Sequence, residues 1–207
     1  MDKELEDLIN ELQLDEEEAK LLLFLNSLGN KLRERTKKKF NRINPFCEDV
    51  FPWRERGCFH TRGDKGVTIY NSTTVSGNVT IGHHTWIGPF CSLDGGVVGL
   101  EIGSYCSISA ACHLLTHDTV RWALSKGNSK YEYAPTKIGD GCFIGVGSIV
   151  TKGVTLGDSC LVGAGSVVTK SFPAQTILAG VPARKIGTVA LGEGRVRLVY
   201  DISKKRG

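Results

Sequence analysis

The chain has 207 residues, a formal net charge of +4, 41% hydrophobic and 23% charged residues, an ordinary balance for a folded, water-exposed protein. That balance excludes wholesale disorder, and no apolar run approaches the ~20 residues a spanning helix needs. Met1-Asp2-Lys3-Glu4 places no apolar segment behind a basic start, so a cytoplasmic location without membrane insertion is expected.

Residues 1–66 are expected to be a helical and extended segment. Leu5, Leu8, Ile9 and Leu12 recur on one helix face. Asp15 with Glu18 three residues later predicts a capped second helix, whose apolar stripe is Leu21, Leu22, Phe24, Leu25 and Leu28. Gly29-Asn30 is a candidate end or kink. Residues 1–20 carry nine acids and residues 31–42 seven bases, which suits solvated helix faces and the helix dipole. No nucleic-acid motif or interleaved aromatics accompany Lys37-Lys38-Lys39, so nucleic acid is not an expected partner. Residues 41–66 show no period and read as loops.

From Ile69 the sequence becomes a repeat. Aliphatic residues stand six apart at Ile69, Val75, Ile81, Ile87 and Leu93, then at Ile102, Ile108 and Leu114, then at Ile138, Ile144, Val150, Leu156, Val162 and Val168. Glycine follows seven of these fourteen positions. A period of six excludes an amphipathic helix, whose period is 3.6, and fits a solenoid of stacked hexapeptide strands and bends. The aliphatic residue points inward, and glycine is expected to permit the bend. Cys91, Cys106, Cys112, Cys142 and Cys160 all fall four residues after an aliphatic position, a slot shared with Thr73, Thr85, Ser148, Ser166, Val79, Val97 and Val154. These thiols therefore read as small packing groups rather than metal or redox groups, and no Cys-x-x-Cys pair occurs.

The register breaks between Leu114 and Ile138, and residues 117–136 form the expected excursion. A loop leaving a rigid scaffold is a common place for binding groups. His117 stands at its root, and imidazole titrates in the range a general base needs. The alternative reading of His117 is a strand cap. His113 precedes it by four residues, a zinc spacing on a helix, but within hexads the two occupy different positions, so no metal site is expected.

Ile-Gly-x-x-small-x repeats, with Lys137-Ile-Gly-Asp-Gly-Cys-Phe-Ile-Gly, Val162-Gly-Ala-Gly-Ser-Val-Val-Thr-Lys170 and Ala179-Gly-Val-Pro-Ala-Arg184, resemble the hexapeptide-repeat acyltransferases. The resemblance implies a mostly β fold: a left-handed parallel β-helix over 67–188 with N-terminal α-helices, a projecting loop and a C-terminal tail, 189–207. Asn44-Pro-Phe-Cys-Glu-Asp, Thr85-Trp-Ile-Gly-Pro-Phe-Cys-Ser-Leu-Asp-Gly-Gly, Thr116-His117-Asp118 and Tyr131-Glu-Tyr-Ala-Pro135 are similar to the bacterial enzymes that acetylate dTDP-linked amino-dideoxy sugars for cell-surface glycans such as the lipopolysaccharide O-antigen.

By that resemblance His117 is the base, with Asp118 orienting its ring or touching the sugar. Acetyl-coenzyme A is the implied co-substrate, lined by Phe143, Gly145, Val146, Gly147, Ala164, Thr169 and Lys170, with Arg184 and Lys185 as cations for its phosphates. A backbone amide near 143–147 is a candidate oxyanion donor. Asp94, Trp122, Tyr131 and Tyr133 are candidate contacts for a nucleotide-sugar substrate. The resemblance further implies a homotrimer, with the excursion reaching a neighbouring subunit and the N-terminal helices covering one end. O-acetylation of a sugar hydroxyl and a non-catalytic trimeric scaffold are the competing readings.

Overall fold

The computed structural model of the protein describes residues 3–40, 66–192 and 195–201. Two units make up the chain, Met1–Pro52 and Trp53–Gly207.

The first unit holds α1 (Lys3–Glu11) and α2 (Glu16–Phe40). Asp15 caps α2: its Oδ1 accepts the N–H groups of Glu17 and Glu18 at 2.9 Å, and Glu18 Oε2 accepts the Asp15 N–H at 3.0 Å. Gly29-Asn30 does not end the helix, which runs on to Phe40. One interior glycine costs only about 1 kcal/mol, and Asn30 turns its Oδ1 to Arg33 Nη1 at 3.1 Å instead of competing for the backbone.

The second unit opens with β1 (Thr68–Ile69), β2 (Thr74–Ser76), β3 (Val79–Ile81), β4 (Trp86–Ile87) and β5 (Ser92–Asp94). β6 (Leu100–Ile102), β7 (Ser107–Ile108) and β8 (His113–Leu114) follow. The excursion comprises β9 (His117–Asp118), α3 (Val120–Leu124) and β10 (Glu132–Tyr133). β11 (Thr136–Ile138), β12 (Phe143–Ile144), β13 (Ile149–Val150), β14 (Thr155–Leu156), β15 (Leu161–Val162) and β16 (Val167–Val168) resume the repeat. β17 (Thr176–Ala179), β18 (Arg184–Gly192) and β19 (Arg195–Tyr200) close it.

Strands one coil apart pair in parallel, which makes a left-handed parallel β-helix with three faces. The first face is β1-β4-β7-β12-β15-β17, the second β2-β5-β8-β13-β16, the third β3-β6-β11-β14. Past Ala179 the chain reverses, and β18 and β19 extend the first face antiparallel. The described part of the expected tail is thus strand, and β18 runs through position 188.

Register stacks like on like. Ile69 lies on Ile87, Ile87 on Ile108, Ile108 on Ile144 and Ile144 on Val162. Leu93, Leu114, Val150 and Val168 form a second column, and Ile81, Ile102, Ile138 and Leu156 a third. Of the fourteen repeat positions all but Val75 are buried, each worth about 1.5–3 kcal/mol.

Two details differ from the sequence reading. The glycines after the aliphatic positions do not make the bends. The left-handed residue at each corner comes two positions later, at His84, Phe90, Tyr105, Ala111 and Ser159 among others. Glycine stands where coils touch: a Cβ on Gly145 would meet Ala164 N at 2.5 Å, and one on Gly157 would meet Ala174 N at 2.4 Å. The corner slot is also more than packing. Cys91 Sγ donates to Ser109 O at 3.0 Å, Cys106 to Gly139 O at 3.1 Å, and Thr85 Oγ1 to Gly103 O at 2.7 Å, so the slot satisfies a carbonyl of the next coil. Val97 does not belong to it. The nine-residue spacing from Leu93 to Ile102 puts Val97 in a surface loop, where it is 78% exposed.

Candidate active site

The excursion leaves the corner between the second and third faces. Thr116, fully buried, fixes the point of departure: its Oγ1 donates to Asp94 O at 2.9 Å, and its carbonyl accepts the Ala134 N–H at 2.9 Å. His117 then pairs with Tyr133, and Asp118 with Glu132, across the antiparallel β9–β10 ladder. The Tyr133 ring stacks on the His117 imidazole with centroids 5.5 Å apart and planes at 28°.

Asp94 comes from the preceding coil. Its Oδ1 accepts the Gly96 N–H at 3.0 Å, which fixes the carboxylate. Its Oδ2 lies 2.7 Å from His117 Nδ1. The two side chains are 16% and 34% exposed. The ring N–H is not aligned with that oxygen, and among the described residues the buried Nδ1 has no other partner. The short distance decides the pairing, because a small rotation about the soft imidazole torsion brings the N–H into line. An Nδ1–H facing Asp94 leaves the Nε2 lone pair as the proton acceptor. Gly96 adopts φ +47° here, and a Cβ on it would meet Thr116 Oγ1 at 2.8 Å.

Asp118, expected to orient the ring, is engaged elsewhere. Its Oδ1 accepts the Val120 N–H at 3.1 Å at the start of α3, and its Oδ2 meets Lys152 Nζ at 3.2 Å. The Val120 N–H and the Lys152 ammonium hold the Asp118 carboxyl below its ordinary pKa. Of the two carboxylates, Asp94 rather than Asp118 lies against the His117 ring. The signal was in the register: Leu93 stacks on Leu114, so Asp94 falls beside the point where the chain departs for His117.

Trp122 and Tyr131 meet edge to face at 5.6 Å on the excursion and stay partly exposed. Tyr133 joins the His117 pair rather than this aromatic pair.

The candidate cofactor residues fall on two edges. Phe143, Gly145, Val146 and Gly147 turn the corner between the first and second faces, and Ala164 repeats that corner one coil on, where Gly165 N–H donates to Val146 O at 2.8 Å. Phe143 and Val146 are exposed. Gly147 and Gly165 have φ +68° and +65°, and a Cβ on either would meet nothing within 4 Å, so this edge presents bare backbone to open space. Arg184 pairs with Ala179 and Lys185 with Leu178, which sets both cations at the foot of the same edge. Thr169 and Lys170 follow β16 on the other side of the second face, where Lys170 Nζ lies 5.6 Å from the Phe172 ring centroid. His117 and Lys152 share that second edge. Among the described residues no group of three or more His, Cys, Asp or Glu could hold a metal ion, and no helix is long and apolar enough to cross a membrane.

Residues 135–170 match the family model of the hexapeptide repeat of succinyl-transferase. Protein CapG of Staphylococcus aureus is 36% identical over 122 residues, 56% of this chain and 71% of CapG. The N-acyltransferase AntD from Bacillus cereus, as a mutant in complex with dTDP-4-amino-4,6-dideoxyglucose and coenzyme A, is 28% identical over 59% of this chain and 69% of AntD, with a TM-score of 0.54. The complex of AntD with dTDP and 3-hydroxybutyryl-CoA gives 29%, the same coverage and 0.52. A maltose O-acetyltransferase from Clostridium difficile 630, 24% identical over 80% of this chain and 88% of its own, shares the fold at 0.51. Repeat, register and these likenesses together show that the chain belongs to the hexapeptide-repeat acyltransferase family.

Proposed function

We propose that the protein is an acetyl-coenzyme A-dependent N-acetyltransferase acting in the cytoplasm on the amino group of a dTDP-linked amino-dideoxy sugar such as dTDP-4-amino-4,6-dideoxyglucose. The observation that carries this reading is the contact of His117 Nδ1 with the fixed Asp94 carboxylate at the root of the excursion. The likeness to AntD, solved with that sugar nucleotide and coenzyme A, supports the substrate class.

The sugar nitrogen attacks the thioester carbonyl carbon and forms the C–N bond. His117 Nε2 takes the proton that the nitrogen sheds, and Asp94 stabilises the resulting imidazolium. The tetrahedral intermediate collapses with cleavage of the C–S bond, and the proton passes from the imidazolium to the departing thiolate. The product is the N-acetyl sugar and free coenzyme A. A backbone N–H at the 143–147 corner serves the developing oxyanion. Gly145, Gly147 and Ala164 let the pantetheine arm lie against backbone, with Phe143 and Val146 beside it and Arg184 and Lys185 for phosphate. Thr169 and Lys170 would meet the cofactor from the other edge. Trp122, Tyr131 and Tyr133 line the sugar-nucleotide side.

His117 and the bare-backbone edge lie on opposite sides of the second face within one chain. One complete site therefore needs the His117 edge of one subunit against the cofactor edge of another, which supports a closed homotrimer.

The test is thiol release from acetyl-coenzyme A with a panel of dTDP-amino sugars, with 3-hydroxybutyryl-CoA as a second donor. Release of coenzyme A with an amino sugar and none with the corresponding hydroxy sugar is expected. Thiol release only with hydroxy sugars would replace N- by O-acylation, and release with neither would remove the substrate assignment.

A further inference from the structure

Lys152 sits two residues after Val150, and Thr116 two residues after Leu114, and Val150 stacks on Leu114. Lys152 thus emerges one coil beyond the point where the excursion departs. Its Nζ bonds Glu132 Oε2 at 3.0 Å and Asp118 Oδ2 at 3.2 Å. These two carboxylates are paired across the β9–β10 ladder, one position along it from the His117–Tyr133 pair. Arg121 Nε, from α3, takes the other Glu132 oxygen at 2.7 Å but is 74% exposed, whereas the Lys152 side chain is only 23% exposed. Screening by solvent weakens the arginine pair more than the lysine one.

We infer that Lys152 is a positioning residue for His117, an ammonium that clasps the excursion to the solenoid and neutralises the two carboxylates beside the imidazole. This rests on His117 being the base. His117 touches Asp94 from the preceding coil and Tyr133 on the paired strand; one position along the hairpin stand Asp118 and Glu132, with Lys152 from the following coil and Arg121 from α3 as their cations. Of the two cations Lys152 is the more buried and is the one that comes from the solenoid. Without the lysine, the excursion loses its ion-pair anchor on the solenoid, Asp118 keeps only the Val120 N–H and Glu132 only the exposed Arg121, so uncompensated negative charge is left one residue from His117.

The experiment is an NMR titration of the His117 imidazole in the full chain, its signal assigned by its loss in His117→Gln. In Lys152→Met the midpoint should rise by about half a unit, and in Lys152→Arg it should return to the wild-type value. In Glu132→Gln, which leaves the lysine facing one carboxylate, the midpoint should fall. A hairpin that has merely loosened would move Lys152→Met and Glu132→Gln in the same direction, which overturns the inference, as does an unmoved midpoint in Lys152→Met. With an amino-sugar acceptor, the acid limb of kcat/KM should shift up with the titration in Lys152→Met, about threefold in rate on that limb. The titration reads the clasp whether or not His117 is the base; retained turnover in His117→Ala would remove the base assignment and leave the titration standing.

Discussion

At the residue scale the pairing of His117 with Asp94 carries the most weight. Asp94 is held twice, by the Gly96 N–H on its side chain and by Thr116 Oγ1 on its carbonyl, so it is set before any substrate arrives. Asp94→Asn keeps the shape and removes the charge that stabilises an imidazolium. It should lower kcat at least ~10-fold with little change in KM for the acyl donor, measured by steady-state thiol release. The same change at Asp118 should act through the hairpin instead. The position of His117 at the root of the excursion was legible, because a histidine at the end of a strand before a register break is visible in one dimension. The sequence marked Asp94, 23 positions upstream, as a substrate contact and not as the neighbour of His117, because that contact exists only once the coils stack. The role of the glycines was hidden for the same reason: Gly145 is required by Ala164 on the next coil, not by its own turn. Gly145→Ala should therefore destabilise the fold by more than the roughly 1 kcal/mol that left-handed strain alone imposes on Gly147→Ala, as read by thermal unfolding.

At the scale of the element, the solenoid and the excursion have different sources of stability. The coils rest on stacked aliphatics, and Ile108→Ala, at a fully buried position, should cost about 2–5 kcal/mol. The corner slot tolerates chemistry but not volume. Cys112→Ser keeps a donor for Gly145 O, whereas Cys112→Leu must displace the next coil. The period of six made all this legible, since each inward position recurs in register with those above and below. The excursion had no period to read, so its hairpin and α3 were not foreseen beyond a loop. It is held by backbone pairing and by charges at its base. The depressed Asp118 pKa means that its contribution is present above the ordinary carboxylate pKa and lost as pH falls through the lowered value. The raised Lys152 pKa, caused first by Glu132 and then by Asp118, means that its contribution persists below the ordinary lysine pKa and is lost as pH rises through the raised value. Protection of the Val120 amide, relative to its intrinsic exchange rate, should thus hold through the neutral range and fall in acid before that of the solenoid amides. Equal loss of protection in both regions would show that the hairpin and coils open as one unit.

At the scale of the whole molecule, the β-helix sets the candidate base and most of the candidate cofactor residues on two different edges of the second face. Ala164 is exposed on the cofactor edge, and Ala164→Trp should block that edge without disturbing the inward columns. His117→Ala disables the other edge. Each variant alone should be inactive. If sites form between neighbouring chains, co-assembled mixtures should regain about a quarter of wild-type activity, because half the neighbours on each side are intact. Activity that stays at the level of the separate variants would mean that each chain builds its own site. The three-sided solenoid was legible from fourteen aliphatic positions, a trimer was expected from the resemblance alone, and the placing of the candidate residues on two edges follows from which corner each occupies.

The most direct test of the account is kcat for His117→Ala at saturating acetyl-coenzyme A and dTDP-4-amino-4,6-dideoxyglucose, with oligomeric state and circular dichroism matched to the unmodified chain. A fall of about 10²–10⁴-fold with the assembly intact is the predicted result. Undiminished turnover in that variant would contradict it.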